Sequence, residues 1–445
     1  MAMLRRAAAW VTVILLTLAP ASAKASELLA NTHYQLDNGL EVVLVEDDRL
    51  PLVAVNLTYH VGSAHDGRSR GLAHLTEHLM FRGSRDLDDG EYSAKMRSAG
   101  ALCNASTHPS RTSYHCLVPT NQLPLALWME SHRMAYVLPA LSSIKVQEEK
   151  VTTIDEWRFR VSSHATGDSL EDLLTTVYPA GHPLQPATPA WIEKLGLGDA
   201  QQFISTYHGP QNATLVLVGD LPEDVQRTIS LDFRRRKGGQ RPASPKAAPP
   251  EQTQERRVVR QSKVATWPTA IIHWQTPGLF EAGDAEADLV AGVLENIFYD
   301  LAERSAPGVL MAFSAEQQSH VGVSSLSVHL AGASTASPEQ LLALFDELFD
   351  EIFDDLSEQF LEKERRQLLR TNYQALQSLG ARAARIQIYV NAGKDPDWLD
   401  EDLARYDGVT LERVQSFITT YLRRELRTVI LSHPAERAPT KQGAR

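Results

Sequence analysis

The chain carries a weak copy of itself. Phe203-Ile204-Ser205-Thr206-Tyr207 returns 214 residues later as Phe417-Ile418-Thr419-Thr420-Tyr421, and Thr214-Leu215-Val216-Leu217 returns at the same spacing as Thr428-Val429-Ile430-Leu431. Pro51 with its following strand resembles Pro268 with its own strand, 217 residues on. Between the copies, from Arg234 to Glu255, apolar periodicity stops. Arg234-Arg235-Arg236-Lys237-Gly238-Gly239 leads into Pro242, Pro245, Pro249 and Pro250, the composition of a solvated linker rather than of a nucleic-acid patch. A repeat of this period means one supersecondary unit used twice. We therefore expect an α+β chain with two homologous halves, over 28–233 and 256–436, and a short tail over 437–445.

Within the first half, Tyr34 to Glu46 reads as two strands joined at Asn38-Gly39, and Leu52 to Val61 as a strand of alternating character. Thr214 to Gly219 reads as a buried strand. Helices are predicted over 72–82, 123–138 and 142–160. The offset of 217 sets the first of these helices against Asp288 to Phe298.

That first helix carries His74-Leu75-Thr76-Glu77-His78. Two histidines four apart lie one turn apart on one helix face, near enough to bind a single metal ion. Glu77 lies beside them, placed to act as a general base on a metal-held water. This is the inverted H-x-x-E-H order of zinc peptidases. The second half has no such set, because His74, Glu77 and His78 fall opposite Ala291, Leu294 and Glu295. A catalytic zinc takes three protein ligands and leaves one position open. The helix over 142–160 offers Glu148, Glu149, Asp155 and Glu156 for the third, and spacing does not choose among them. A structural zinc site is disfavoured, since such sites are closed by four ligands, often cysteines, and neither cysteine lies in the motif.

The formal net charge of -11 argues against nucleic acid as a partner. At the N-terminus, Arg5 and Arg6 precede an apolar run from Ala7 to Ala19, and Pro20-Ala21-Ser22-Ala23 supplies small residues for cleavage. We expect a signal peptide over 1–23 and export to the periplasm. The rival readings are a mitochondrial transit peptide and an uncleaved anchor. No later segment is apolar for long enough to span a membrane.

The two cysteines, Cys103 and Cys116, fall in a predicted hairpin. If Pro109-Ser110 forms the turn, His108 faces Arg111, and the same register sets Cys103 directly opposite Cys116. Facing positions of a non-hydrogen-bonded pair are close enough for a disulfide. The alternative is two free buried thiols.

The run from Gly71 to Ser84, with His74-Leu75-Thr76-Glu77-His78 at its centre, resembles the active-site signature of the pitrilysin/insulinase family of zinc peptidases, which includes the mitochondrial processing peptidases. Asn38-Gly39-Leu40, Val61-Gly62-Ser63, Asn104-Ala105 with Thr107, Arg111-Thr112 and Tyr114, Glu130-Ser131-His132-Arg133-Met134, His182-Pro183 and Asn212 to Asp220 extend the resemblance from about residue 31 to 233. It continues more weakly over 256–435. The resemblance implies a bacterial member whose halves are α/β sandwiches forming a clamshell, with Zn2+ as cofactor and a peptide or unfolded segment as substrate. It makes Glu156 the third ligand, since the family's third ligand ends an E-x-x-x-x-x-x-E helix, and Glu149 a group supporting the site. It assigns Asn104 and Ala105 to substrate binding, on a strand that pairs with an extended peptide.

The second half departs from the family. An arginine and a tyrosine usually come from it to hold substrate and stabilise the developing oxyanion. Here Ala302 takes the arginine position and Phe313 the tyrosine position, with Arg304 two residues away as a substitute. Some relatives divide these parts between two chains. The expectation is a zinc metalloendopeptidase acting as the metal-bearing subunit of a heterodimer, with a homologous subunit supplying the arginine and tyrosine. The alternative is a non-catalytic peptide-binding or scaffold subunit.

Overall fold

Residues 41–46, Glu-Val-Val-Leu-Val-Glu, are apolar at both parities, and such a strand is stable only between two apolar layers. The computed structural model, which describes residues 25–163, 166–243, 251–354 and 356–434, builds two sheets with this property. The expected signal segment, the middle of the linker at 244–250 and the tail at 437–445 lie outside the described residues.

The first sheet contains β1 (Thr32–Gln35), β2 (Glu41–Glu46), β3 (Leu52–Tyr59), β4 (Leu102–Thr107), β5 (Thr112–Pro119) and β6 (Ala213–Gly219) in the order β1-β2-β6-β3-β5-β4. Its half also holds α1 (Leu72–Leu79), α2 (Glu91–Ser98), α3 (Leu123–Tyr136), α4 (Ser143–Ser163), α5 (Gly167–Val177), α6 (Pro189–Ile192), α7 (Leu197–Tyr207) and α8 (Val225–Phe233). The second sheet contains β7 (Arg256–Gln261), β8 (Thr269–Thr276), β9 (Leu310–Gln318), β10 (Ser324–Gly332) and β11 (Thr428–His433) in the order β7-β11-β8-β10-β9. Its helices are α9 (Asp284–Ser305), α10 (Pro338–Asp354), α11 (Glu358–Ala375), α12 (Leu379–Asn391), α13 (Leu399–Asp407) and α14 (Leu411–Tyr421).

The two sheets match strand for strand once β1 is set aside. β2 runs parallel to β6 as β7 runs parallel to β11, and the remaining pairs are antiparallel in both. The repeated sequences fall on equivalent strands, β6 with β11 and β3 with β8. α9 occupies the place of α1, as the offset of 217 implies. Ala291 and Leu294 are buried there, and Glu295 accepts a hydrogen bond from the Ala315 amide on β9 at 2.7 Å.

Each sheet is covered on one side by its own half and on the other by its neighbour. In the first sheet, Val42, Leu44, Val55, Leu57, Leu215 and Leu217 join the core made with Leu75, Leu127, Ile204 and Ile229 of the same half. The alternate positions Val43, Val45, Ala54, Val216 and Val218 meet Leu379, Ala383, Ile386 and Val390 of α12. In the second sheet, Ile271 and Ile430 meet Leu173 and Val177 of α5, together with Tyr178. Polar contacts pin both crossings. Gln387 Nε2 donates to the carbonyls of Asn56 and Thr214, both at 2.9 Å, and Arg382 pairs with Asp47. His60 Nε2 meets Thr214 Oγ1 at 2.8 Å, while its Nδ1 meets Asn391 Oδ1 at 3.2 Å. Arg260 pairs with Asp168 and Asp172, and Ser169 Oγ meets Ser432 Oγ at 2.7 Å. Among the described residues, no helix is long and apolar enough to cross a membrane.

Candidate metal centre

α1 begins at Gly71, whose φ of 89° lies in the left-handed region that glycine tolerates. The Asp66 carboxylate caps its first turn, accepting from the amides of Gly71 at 2.7 Å and Ala73 at 2.8 Å. Burial pushes the Asp66 carboxyl up to about 7, against the pull of those donors and of Arg70. Leu72, Ala73, Leu75, Thr76 and Leu79 bury the inner face of the helix. His74 and His78 occupy the outer face, ring against ring at 4.8 Å, and His74 lines a cleft.

The face of α4 that packs on α1 supplies the third group. His74 Nε2 and His78 Nε2 lie 3.3 Å apart, and Glu156 Oε2 lies 3.5 Å from the first and 3.4 Å from the second. A tetrahedral ion with bonds of about 2.0–2.2 Å needs donors about 3.3–3.6 Å apart, so the triangle fits zinc. Among the described residues it is the one group of His, Cys, Asp and Glu side chains with metal-binding spacing. The other acids of α4 are engaged elsewhere. Glu148 pairs with Arg82 and Asp155 with Arg158. Glu149, two turns before Glu156, is buried and meets His78 Nδ1 at 3.1 Å through Oε2.

Electrostatics separate the two histidines. Burial, helped by His78 and Arg160, pushes His74 down to about 4. Burial also lowers His78, but Glu149, Glu156 and Glu77 outweigh it and the net shift is upward. Glu77 is buried beside them, and Thr107 Oγ1 on β4 donates to its Oε2 at 2.5 Å. Burial raises the Glu77 carboxyl, while Thr107 and His78 pull it down.

Asn104 and Ala105 on the edge strand β4 line the same cleft, which holds a cavity of about 830 Å³. Trp157, Leu170, Leu174, Tyr178 and Leu184 give it an apolar wall, and Gln318, His320 and Ser325 reach it from the second half. Cys103 on β4 and Cys116 on β5 are joined by a disulfide, with Cα atoms 4.1 Å apart. They sit opposite each other in the register that also pairs Thr107 with Thr112.

The second half does not bring its substitute to the cleft. Ala302 is fully buried in the core, Phe313 stacks on Phe298 at 4.3 Å, and Arg304 is exposed with its Nε on the Asp300 carbonyl. Sequence reasoning missed the roles of Asp66 and Thr107, the cleft position of His320 and the contacts of Arg82. A signal for Arg82 was present. It follows His78 by four residues, as His78 follows His74, and so continues the same face.

A family model described as "Insulinase (Peptidase family M16)" matches residues 41–186, and one described as "Peptidase M16 inactive domain" matches residues 194–368. The chain is 29% identical over 216 residues to the zinc protease PqqE of Helicobacter pylori, a match covering 47% of this chain and 48% of that protein. It is 36% identical over 102 residues to protease 3 of Escherichia coli, covering 22% of this chain and 11% of that protein. These matches span about half or less of the relatives' own lengths. Among solved structures, a protease from Helicobacter pylori has a TM-score of 0.83 at 19% identity, covering 91% of this chain and 100% of that one. Pitrilysin has a TM-score of 0.70 at 16% identity, covering 92% of this chain and 45% of that one. The structural likenesses show the fold.

Proposed function

Starting from a chain that belongs to the insulinase (M16) peptidase family, we propose that this protein is a zinc-dependent endopeptidase for peptides and unfolded segments. The observation that carries the reading is the triangle of His74, His78 and Glu156 with the Glu77 carboxylate beside it. A zinc ion held by those three groups would supply Lewis acidity for the scissile carbonyl and an acidified water. Glu77 receives the water's proton on its carboxylate and returns it to the leaving amine, and Thr107 orients that carboxylate. Asn104 and Ala105 present the β4 edge, where an extended peptide adds as a further strand. Glu149 holds the Nδ1 side of His78 and so leaves Nε2 for the metal.

A homologous second subunit completes the site with an arginine and a tyrosine. The burial of Ala302 and the packing of half-buried Phe313 against the core support this, because the positions that supply those groups in the family are engaged with the core here. The same observation favours the second reading, a peptide-binding subunit without catalysis. We further propose that 1–23 direct the chain to the periplasm. The cross-strand disulfide suits an oxidising compartment, and the structural neighbour PqqL of Escherichia coli is described as periplasmic.

The purified chain should bind one zinc ion and cleave an unstructured peptide poorly, and a co-expressed homologous partner should raise cleavage. Glu77→Gln should keep the metal and abolish hydrolysis by the complex. Zinc binding with no cleavage under any pairing would leave the peptide-binding reading. Full activity of the chain alone would end the heterodimer.

A further inference from the structure

Arg82 lies just beyond the C-terminal end of α1, and its guanidinium is held by three acids. Nη1 donates to Glu149 Oε1 at 2.6 Å, and Nη2 to Glu148 Oε2 at 2.5 Å. Nε and Nη2 donate to the Asp89 carboxylate at 2.8 and 2.6 Å. The Arg82 main chain is tied to the same place, since Lys145 Nζ at the start of α4 donates to its carbonyl at 2.7 Å. One residue thus joins the helix that carries His74 and His78 to the helix that carries Glu156.

The consequence follows from how Glu149 is shared. Its Oε1 is taken by Arg82, and its Oε2 faces His78 Nδ1 at 3.1 Å. A carboxylate held on one oxygen by a rigid planar donor cannot rotate freely, so its other oxygen stays aimed at the imidazole. The Nδ1 proton then stays on the Glu149 side, and Nε2 keeps its lone pair toward His74 and Glu156. Without Arg82, Glu149 would lose the donor on its Oε1 and face the like charges of Glu148 and Asp89, and that repulsion would turn it away from His78.

We propose that Arg82 is a positioning residue of the metal centre, setting its affinity through Glu149 and His78 without touching the metal or the substrate. This rests on the zinc reading above. The test is zinc affinity of the full chain, measured by competition with a chromophoric chelator, together with the visible spectrum of the Co2+-loaded protein. Removal of such an outer partner weakens binding by about 10- to 100-fold, and that loss is expected for Arg82→Gln. Arg82→Lys keeps the charge but loses the fork, and should fall between that variant and the parent. Glu149→Gln should lose as much as Arg82→Gln, and the double variant should lose no more than Glu149→Gln alone, because both act on one imidazole. The Co2+ bands should change in the same order, which a general loss of stability would not produce. Parent-like affinity in Arg82→Gln, or losses that add in the double variant, would overturn the proposal. If Arg82→Gln fails to fold, Arg82→Lys and Glu149→Gln decide by the same comparison. A parent protein that binds no zinc would instead overturn the reading on which this one rests.

Discussion

His60 makes the chain acid-sensitive in a way that one substitution should isolate. The side chain is buried where α12 meets the first sheet, hydrogen-bonded to Thr214 and Asn391. Burial pushes it down to about 3, and the charges of Arg241 and Arg111 push in the same direction. An unfolded histidine titrates near 6.5. A depressed folded value means that the unfolded chain takes up a proton that the folded chain refuses. Stability is therefore intact above about pH 6.5 and falls by about 1.4 kcal/mol per pH unit below it, until the folded value is reached. Between pH 7 and pH 5 this one residue should cost about 2 kcal/mol. His60→Gln retains a neutral polar group of similar reach and cannot titrate. Guanidinium unfolding at both pH values, on parent and variant, gives the difference directly. His208 and His273, also pushed down by burial, are present in both proteins and cancel. The parent should lose about 2 kcal/mol more than the variant across that interval. Equal losses would show that His60 accepts its proton in the folded state, and that the crossing of α12 admits water.

Three further outcomes are expected. Glu156→Gln should retain the fold and lose stoichiometric zinc, measured by metal content after dialysis, whereas Asp155→Asn should keep it, since Asp155 pairs with Arg158 away from the histidines. Asp66→Ala removes the cap of α1 and should lower stability by about 1–2 kcal/mol in thermal or chemical denaturation; an unchanged midpoint would mean that the carboxylate contributes nothing to the helix. Thiol titration of unfolded, unreduced protein should find no free thiol, and the double substitution Cys103→Ser/Cys116→Ser should cost at most about 3 kcal/mol, the figure for a loop of this size, because the hairpin ladder already restrains the strands.

Different features were legible for different physical reasons. Hairpin pairing is local arithmetic, so a turn at Pro109-Ser110 leads directly to Cys103 opposite Cys116 and to the observed hydrogen bond from the His108 amide to the Arg111 carbonyl. Helix periodicity is local too, and it is enough to put His74 and His78 on one face. Glu156 was not local. Its selection from four acids depends on how α4 lies across α1, and before the packing was known only family resemblance singled it out. The covering helices were hidden for a similar reason. Continuous apolar strands such as 41–46 announce two buried faces, but no periodicity says that α12, more than 300 residues away, supplies one of them. Arg304 is near the arginine position along the chain but not in space, because the end of α9 directs it to solvent.

The reciprocal cover of the sheets also sets a timetable. The last strand of the first sheet ends at Gly219, but the helix that shields its outer face starts at Leu379. A chain delivered N-terminus first must supply 160 more residues before that helix arrives. Throughout that interval Val43, Val45, Ala54, Val216 and Val218 have no native cover. A nascent first half is therefore a natural client for a chaperone, and severing the chain in its linker would leave each fragment with a bare apolar face.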